Sequence, residues 1–223
     1  MARFSVLHRS VIAGVFVVFL SEVPVSDSRI PPQKLPSPRL LFSTAGCGKT
    51  KSCFFTPYSC GSSPNSCDYF LTYTPKESSF MFEMSSNKKW VAVGFNHKAV
   101  MDGTDSIICS VTNGSTLVGH YPIEGYQTPV RTMQSVKGLK VEQQSYEDGA
   151  IKCRFGRDKQ DNIMAADLTK HLFIIFAIGP TGPDNSLKEH SWKAHSMSPV
   201  NLAEIQILEA SVYDLSFIQI HGK

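Results

Sequence analysis

The amino-acid sequence predicts an all-β domain built as a sandwich or a barrel. Short apolar or alternating stretches recur from Gly46 onward, and turn signals separate them. The stretch 79–84 shows the pattern most clearly, because Phe80, Phe82 and Met84 fall on one face, as a half-buried strand requires. No longer window shows a convincing helical period. Many short strands with frequent turns are typical of sandwiches and barrels.

The predicted strands are rich in Val, Ile, Phe and Tyr, which favour extended backbone. In chain order they cover residues 68–74, 79–84, 90–95, 106–111, 116–121, 130–136, 139–146, 150–155, 172–179, 202–208 and 212–220. The stretch 161–170 is the one candidate for a short helix, although its apolar residues are poorly spaced.

Composition limits the class of protein before any motif is considered. Of the 223 residues, 42% are hydrophobic and 18% are charged, which predicts one domain with tails and not a disordered chain. The net charge is only +3, and no basic stripe is present. The sequence therefore gives no support for nucleic acid as a partner.

Residues 1–28 have the features of a secretory signal peptide. Arg3 and Arg9 supply a positive start, and an uninterrupted apolar run of ten residues follows at 11–20. Such a run is too short to cross a bilayer, which requires about 20 apolar residues. A buried helix or an uncleaved anchor is the alternative.

The segment after the signal, residues 29–45, is a proline-rich and mostly extended leader, and residues 46–223 form the domain. The most apolar later segment, 172–178, has only the length of a strand, so no membrane span is predicted in this chain. We expect a secreted, extracellular protein, attached to the cell surface at most through a partner.

The cysteines form two groups, an entrance cluster of four and two isolated residues within predicted strands: Cys47, Cys53, Cys60 and Cys67, then Cys109 and Cys153. The entrance cluster lacks the two-residue spacing typical of structural zinc sites, and an extracellular compartment is oxidising. Disulfides are therefore predicted, with three pairings open for the entrance cluster. The isolated pair either bridges two strands or remains as two buried thiols.

One tripeptide predicts a covalent modification. Asn113-Gly-Ser115 matches the acceptor pattern for N-glycosylation and lies in a turn-like setting. Such tripeptides are common by chance, so the prediction depends on the secretory reading of the N-terminus.

Two groups of motifs resemble a known family. Trp90-Val-Ala-Val-Gly-Phe95, followed after five residues by Met101-Asp-Gly-Thr-Asp105 and then by Ser-Ile-Ile-Cys109, resembles the DOMON domain. The cysteine-bearing segments 47–53 and 67–70 are similar to the extracellular DOMON segment of the ferric-chelate reductase (stromal cell-derived receptor) family. The resemblance extends from about residue 46 to about residue 208, and it implies an immunoglobulin-like β-sandwich.

In haem-binding members, the resemblance implies one b-type haem at one end of the sandwich, held by a Met thioether and a His imidazole. Two such axial ligands occupy both open positions of the iron, so the site transfers electrons and does not bind oxygen. Met101 stands at the position of the family's methionine, in the loop after 90–95. A methionine between two strands is otherwise usually a filler of the core.

The family's histidine lies in a loop after a late apolar strand that ends in a glycine, here Gly179. His190 fits best by its distance from that glycine, and His195 is the runner-up. The alternative for either is a solvated loop histidine. Asp102 and Asp105 are expected to shape a turn, and no catalytic residue is predicted, because no nucleophile motif is present.

Full-length reductases of the family also carry a reeler domain and a six-helix transmembrane b-type cytochrome, and neither is recognisable in these 223 residues. We therefore do not expect a self-sufficient reductase. The sequence predicts a secreted haem b domain that exchanges single electrons with a redox partner, such as a membrane b-type cytochrome. The alternatives are a haem-free β-sandwich that binds a protein or a small ligand, and a truncated product of a membrane ferric-chelate reductase.

Overall fold

The computed structural model describes residues 11–12, 15–16, 40–133 and 136–212. Most of the predicted signal peptide (1–28) and leader (29–45), and all but the first residue of the predicted strand 212–220, lie outside the described residues. The chain divides into two units, Met1–Arg39 and Leu40–Lys223. In the first unit, β1 (Val11–Ile12) pairs antiparallel with β2 (Val15–Phe16).

The second unit is built from strands and two short 3-10 helices. The strands are β3 (Ser52–Thr56), β4 (Tyr69–Pro75), β5 (Ser79–Ser86), β6 (Trp90–Asn96), β7 (Asp105–Thr112), β8 (Ser115–Pro122), β9 (Leu139–Glu147), β10 (Ala150–Asp158), β11 (His171–Gly179), β12 (Trp192–Ser196), β13 (Val200–Asn201) and β14 (Ala210–Val212). The 3-10 helices, Tyr58–Ser62 and Pro64–Ser66, follow β3.

The strands form two antiparallel sheets, which confirms the predicted all-β class and sandwich architecture. The first sheet has the order β3-β4-β5-β10-β9. The second sheet has the order β14-β12-β11-β6-β7-β8, and β13 pairs with β11. The strands of this unit pair antiparallel throughout both sheets.

The core lies between the inner faces of the two sheets, because side chains alternate along each strand. In β6, Val91, Val93 and Phe95 are buried in this core. From the first sheet, Phe82 and Phe155 stack with ring centroids 5.4 Å apart, and Phe82 also contacts the ring of Phe95. The predicted inward face of 79–84 is therefore confirmed.

Two predicted strands and the candidate helix are wrong. The described part of 130–136 is a loop, since Val130 is 76% exposed and so has no buried face to hold it in a sheet. Residues 202–208 begin as a turn, in which Glu204 N–H donates to Asn201 O. Residues 161–170 bend around Asp161, whose Oδ1 accepts from the N–H groups of two later residues. This local hydrogen bonding competes with a helix.

The structure pairs all six cysteines, each of which lies in the described ranges. Cys47–Cys53 and Cys60–Cys67 close short loops at the entrance of the domain, so the pairing that the sequence left open is neighbour with neighbour. Cys109–Cys153 joins β7 of the second sheet to β10 of the first, and both residues are fully buried. Within the described ranges, no helix is long and apolar enough to cross a membrane.

Candidate functional site

The outer face of the second sheet, which points away from the core, carries small side chains in its middle. Ala92 and Gly94 alternate with the core residues of β6, and Ala177 lies beside Ala92 on β11. A Cβ atom added to Gly94 would lie 2.4 Å from Thr104 Cγ2. Thr104 therefore packs over Gly94, and the small side chains of Ala92 and Ala177 leave a depression above the sheet.

This depression is the floor of a cavity of about 320 Å³, which adjoins a second one of about 340 Å³. Ile108 and Ile175 complete an apolar floor, and Tyr126 and Pro129 come from the loop after β8. The volumes and the apolar lining are typical of small-molecule sites in proteins. The cavity is open to solvent at a mouth where Tyr126 is 83% exposed.

The β6–β7 loop brings Met101 to this cavity, where its side chain packs against an apolar cluster that includes Trp90 and Ile108. The loop is held by Asn96, at the end of β6. Its Nδ2 donates to Val100 O at 3.1 Å and to Asp102 O at 2.8 Å. These two carbonyls belong to the residues directly before and after Met101, so one amide fixes the backbone on both sides of the thioether.

Asn96→Ala is expected to loosen the Met101 loop. Loss of hydrogen bonds to the two carbonyls should weaken the loop by about 1–1.5 kcal/mol, which raises amide hydrogen exchange of residues 97–104 about tenfold. The matched control is Asn87→Ala, because Asn87 is an exposed residue whose amide bonds Asp68 instead. Equal exchange of residues 97–104 in the two variants would contradict the role of Asn96.

The β11–β12 loop brings His190 to the same cavity. Burial lowers the pKa of His190, and the nearby charge of Lys193 lowers it further. The neutral imidazole, which is the form that ligates a metal, is therefore favoured.

His195 also lines the cavity, from the outer face of β12 beside Ile175. Its Nδ1 donates to Ser196 O at 2.8 Å, and its ring meets Phe173 edge-on. Metal-ligating histidines commonly donate one ring N–H to a carbonyl. The structure thus brings Met101, His190 and His195 to one cavity, and the choice between the two histidines stays a prediction.

A buried ionic cluster lies on the opposite side of the same sheet. The Asp105 carboxylate accepts from His120 Nε2, Arg157 Nη2 and Ala166 N, each at 2.7 Å. Burial alone would raise the pKa of Asp105, but the His120 hydrogen bond and the Arg157 charge outweigh it and hold the pKa below its ordinary value. Thr104 and Ser106, the neighbours of Asp105, line the cavity.

This cluster corrects one expectation. Asp105 does not shape a turn but anchors strand β7 to the first sheet through Arg157, which lies on β10 and is fully buried. Asp102 lies in a turn, in which Thr104 N donates to Met101 O at 3.1 Å, and its Oδ1 accepts from Gly125 N, in the loop after β8, at 2.7 Å. His120, the third member of the cluster, is also buried, and its Nδ1 bonds Thr132 Oγ1 at 2.7 Å.

Some contributors to the site were missed by reasoning from sequence, although two had signals. In β10, Arg157 stands in the same alternating phase as Cys153 and Phe155, which places a charge on the inward face. In β6, the small Ala92 and Gly94 occupy the outward phase. The amide of Asn96 has no such signal, because its contacts depend on how the following loop closes.

Fold and site together define an antiparallel β-sandwich with an apolar cavity on the outer face of one sheet. One loop brings a methionine to this cavity, and a second loop brings a histidine. The DOMON domain family matches residues 65–179, which is slightly more than half of the chain. The chain belongs to the DOMON family, as its motifs predict.

Relatives of this chain include two curated vertebrate proteins. The human DOMON domain-containing protein FRRS1L is 31% identical over 146 residues, covering 60% of this chain and 46% of that protein. The mouse ferric-chelate reductase 1 is 29% identical over 157 residues, covering 67% of this chain and 25% of that protein. The chain therefore spans less than half the length of these relatives. Among solved structures, the cytochrome b domain of pyranose dehydrogenase from Coprinopsis cinerea aligns with a TM-score of 0.49 and 13% identity, covering 70% of this chain and 83% of that one.

Proposed function

We propose that this chain is an extracellular DOMON domain that binds one b-type haem in the cavity and transfers single electrons. Met101 and His190 would hold the haem iron through the thioether sulfur and an imidazole nitrogen. The observation that carries the proposal is that these two side chains, from loops on different strands, line one apolar cavity. When bound, the haem supplies a one-electron couple between ferric and ferrous iron, at a potential that a thioether ligand raises.

The residues present fit such a group in several ways. Ala92 and Ala177 leave room for a flat apolar ring above the sheet, and Ile108 and Ile175 exclude water from beneath it. His190 is half-buried and held neutral by its surroundings. Lys193 lines both adjoining cavities, where its ammonium suits a carboxylate substituent of the ligand.

The role of the protein in this proposal is positioning and exclusion. Asn96 holds the backbone on both sides of Met101. Trp90 holds the start of the His190 loop, because its Nε1 donates to Pro180 O at 2.9 Å. A site whose ligands move little between oxidation states needs little reorganisation when an electron arrives.

The extracellular location rests on the signal-like residues 1–28 and on the three disulfides, which persist in oxidising compartments. Relatives named ferric-chelate reductase make a membrane b-type cytochrome the proposed redox partner. Such a partner would supply or take the electron, since the described residues contain no helix suited to crossing a membrane.

The test is to express the full chain, add haem and record oxidised and reduced absorption spectra. We expect sharp reduced bands of a six-coordinate low-spin haem. Met101→Ala and His190→Ala should each abolish this spectrum, and haem affinity should fall roughly 10- to 100-fold, as when other metal sites lose a supporting side chain.

Matched controls are Met197→Ala and His97→Ala, because both residues are exposed and neither lines the cavity. A protein that stays colourless on reconstitution would contradict haem binding and favour an interaction module. If His195→Ala loses the spectrum and His190→Ala retains it, haem binding stands and only the assignment of His190 as the ligand is contradicted.

A further inference from the structure

The turn between β7 and β8 contacts the loop that carries His190. Asn113 and Gly114 form this turn, both with positive φ, at 50° and 74°. Asn113 N donates to Asn185 Oδ1 at 3.0 Å, and Asn185 Nδ2 donates to Asn113 Oδ1 at 2.7 Å. Asn185 lies between β11 and β12, five residues before His190. We call this reciprocal pair the asparagine clamp.

The same Asn113 is the acceptor position of Asn113-Gly-Ser115, the one N-x-Ser/Thr tripeptide in the 223-residue sequence. Its side chain is exposed, and a Cβ atom added at Gly114 would meet nothing within 4 Å, so a bulky group has space at this turn. Within the described residues, Asn113 Nδ2 donates no hydrogen bond. The clamp uses the Oδ1 and the backbone N–H of Asn113. It does not use Nδ2, which is the atom to which an N-linked glycan attaches.

We propose that Asn113 carries an N-linked glycan and that this glycan stabilises the loop bearing His190 through the asparagine clamp. Unmodified, the Asn113 amide can rotate and present Nδ2 to Asn185 Nδ2, which breaks the bond between them. A sugar on Nδ2 prevents this rotation, because the turned amide would drive the sugar into the loop. Oδ1 then stays directed at Asn185.

The link between glycan and cavity rests on the proposed function, in which His190 is a ligand. The clamp does not rest on it, and the glycan rests only on the extracellular location. Both can be examined in protein without haem, so a failure of haem binding and a failure of this proposal give different results.

The experiment compares the full chain with Ser115→Ala and Asn185→Gly, all expressed in mammalian cells through the secretory route. Ser115→Ala removes the acceptor pattern and leaves both clamp bonds. Asn185→Gly removes the clamp and keeps the acceptor, and glycine tolerates the φ of 62° at this position. Peptide mass spectrometry after glycosidase treatment measures the fraction of Asn113 that carries a glycan. Amide hydrogen exchange of residues 181–191 measures how stable the loop is.

We expect a glycan in the unchanged chain and in Asn185→Gly, and none in Ser115→Ala. Exchange of residues 181–191 should rise about two- to threefold in Ser115→Ala and about tenfold in Asn185→Gly, as for the weakening and the loss of hydrogen bonds. An unmodified Asn113 in the unchanged chain would overturn the modification. Equal exchange in the unchanged chain and Ser115→Ala would overturn the coupling, and unchanged exchange in Asn185→Gly would overturn the clamp.

Discussion

Replacing Cys109 and Cys153 together by alanine is expected to lower the free energy of unfolding by about 4 kcal/mol. The disulfide joins residues 44 positions apart, and the entropy of the unfolded chain rises with the length of the loop that is released. Because the bond also joins the two sheets, the variant loses the covalent tie between them. Urea unfolding followed by circular dichroism measures the change.

The matched control is the double variant of Cys60 and Cys67, whose disulfide spans only seven positions. Its loss is expected to be smaller, roughly 2 kcal/mol, because a short loop restricts the unfolded chain less. If both double variants lose the same stability, loop length does not determine the contribution of these bonds.

Arg157→Met is expected to destabilise the fold by about 3–5 kcal/mol, the range found when one partner of a buried ion pair is removed. The guanidinium of Arg157 lies 5.1 Å from the centre of the Phe95 ring and donates to Asp105 and to Ala166 O. Methionine fills similar volume but leaves the Asp105 carboxylate buried without its cation. Urea unfolding at pH 7 measures the difference from the unchanged chain.

The pH dependence of the same variant gives a second check. The pKa of Asp105 is lowered in the fold, so its contribution is present above the ordinary value near 4 and is lost as pH falls through the folded pKa. Arg157→Met removes one of the groups that lower this pKa. The stability difference between the two proteins should therefore narrow below about pH 4.

Two further variants separate a buried ion pair from a general effect of charge. Lys188→Met breaks an exposed pair with Asp184 at 3.9 Å and should leave the unfolding midpoint unchanged. Asp105→Asn combined with Arg157→Met should cost less than the two single changes added together, because neither charge remains unpaired. Additive losses would mean that the two side chains do not interact.

The strands that could be predicted from the sequence are those in which every second side chain is apolar and is buried in the core. Strand β5 alternates Phe80, Phe82 and Met84 with less buried residues, and its inward face was predicted correctly. The stretch 130–136 has similar apolar content, but Val130 and Met133 meet solvent, and the described part of the stretch is a loop. Composition alone does not reveal whether a second sheet lies opposite a strand. Strands β3 and β12 were missed, since each has only five residues, too few to show a clear alternation.

The residues of the candidate site were predictable only where a family motif marks them. Met101 and His190 were named from motif position, and the structure places both at one cavity. The hydrogen bonds of Asn96 and of the asparagine clamp form only when the loops close, so no periodic pattern in the sequence predicts them. Asp105 was misjudged because a D-x-x-D pattern does not show that Arg157, 52 residues later, will face it across the sandwich.

Strand β6 faces the core on one side and the cavity on the other. The number of residues in the strand is therefore more tightly constrained than the identity of each residue. Inserting or deleting one residue within β6 would exchange the two faces of the strand beyond that point. Val93 and Phe95 would then fill the cavity, while Ala92 and Gly94 would leave a gap in the core. A single-codon insertion or deletion inside β6 would therefore remove fold and site together.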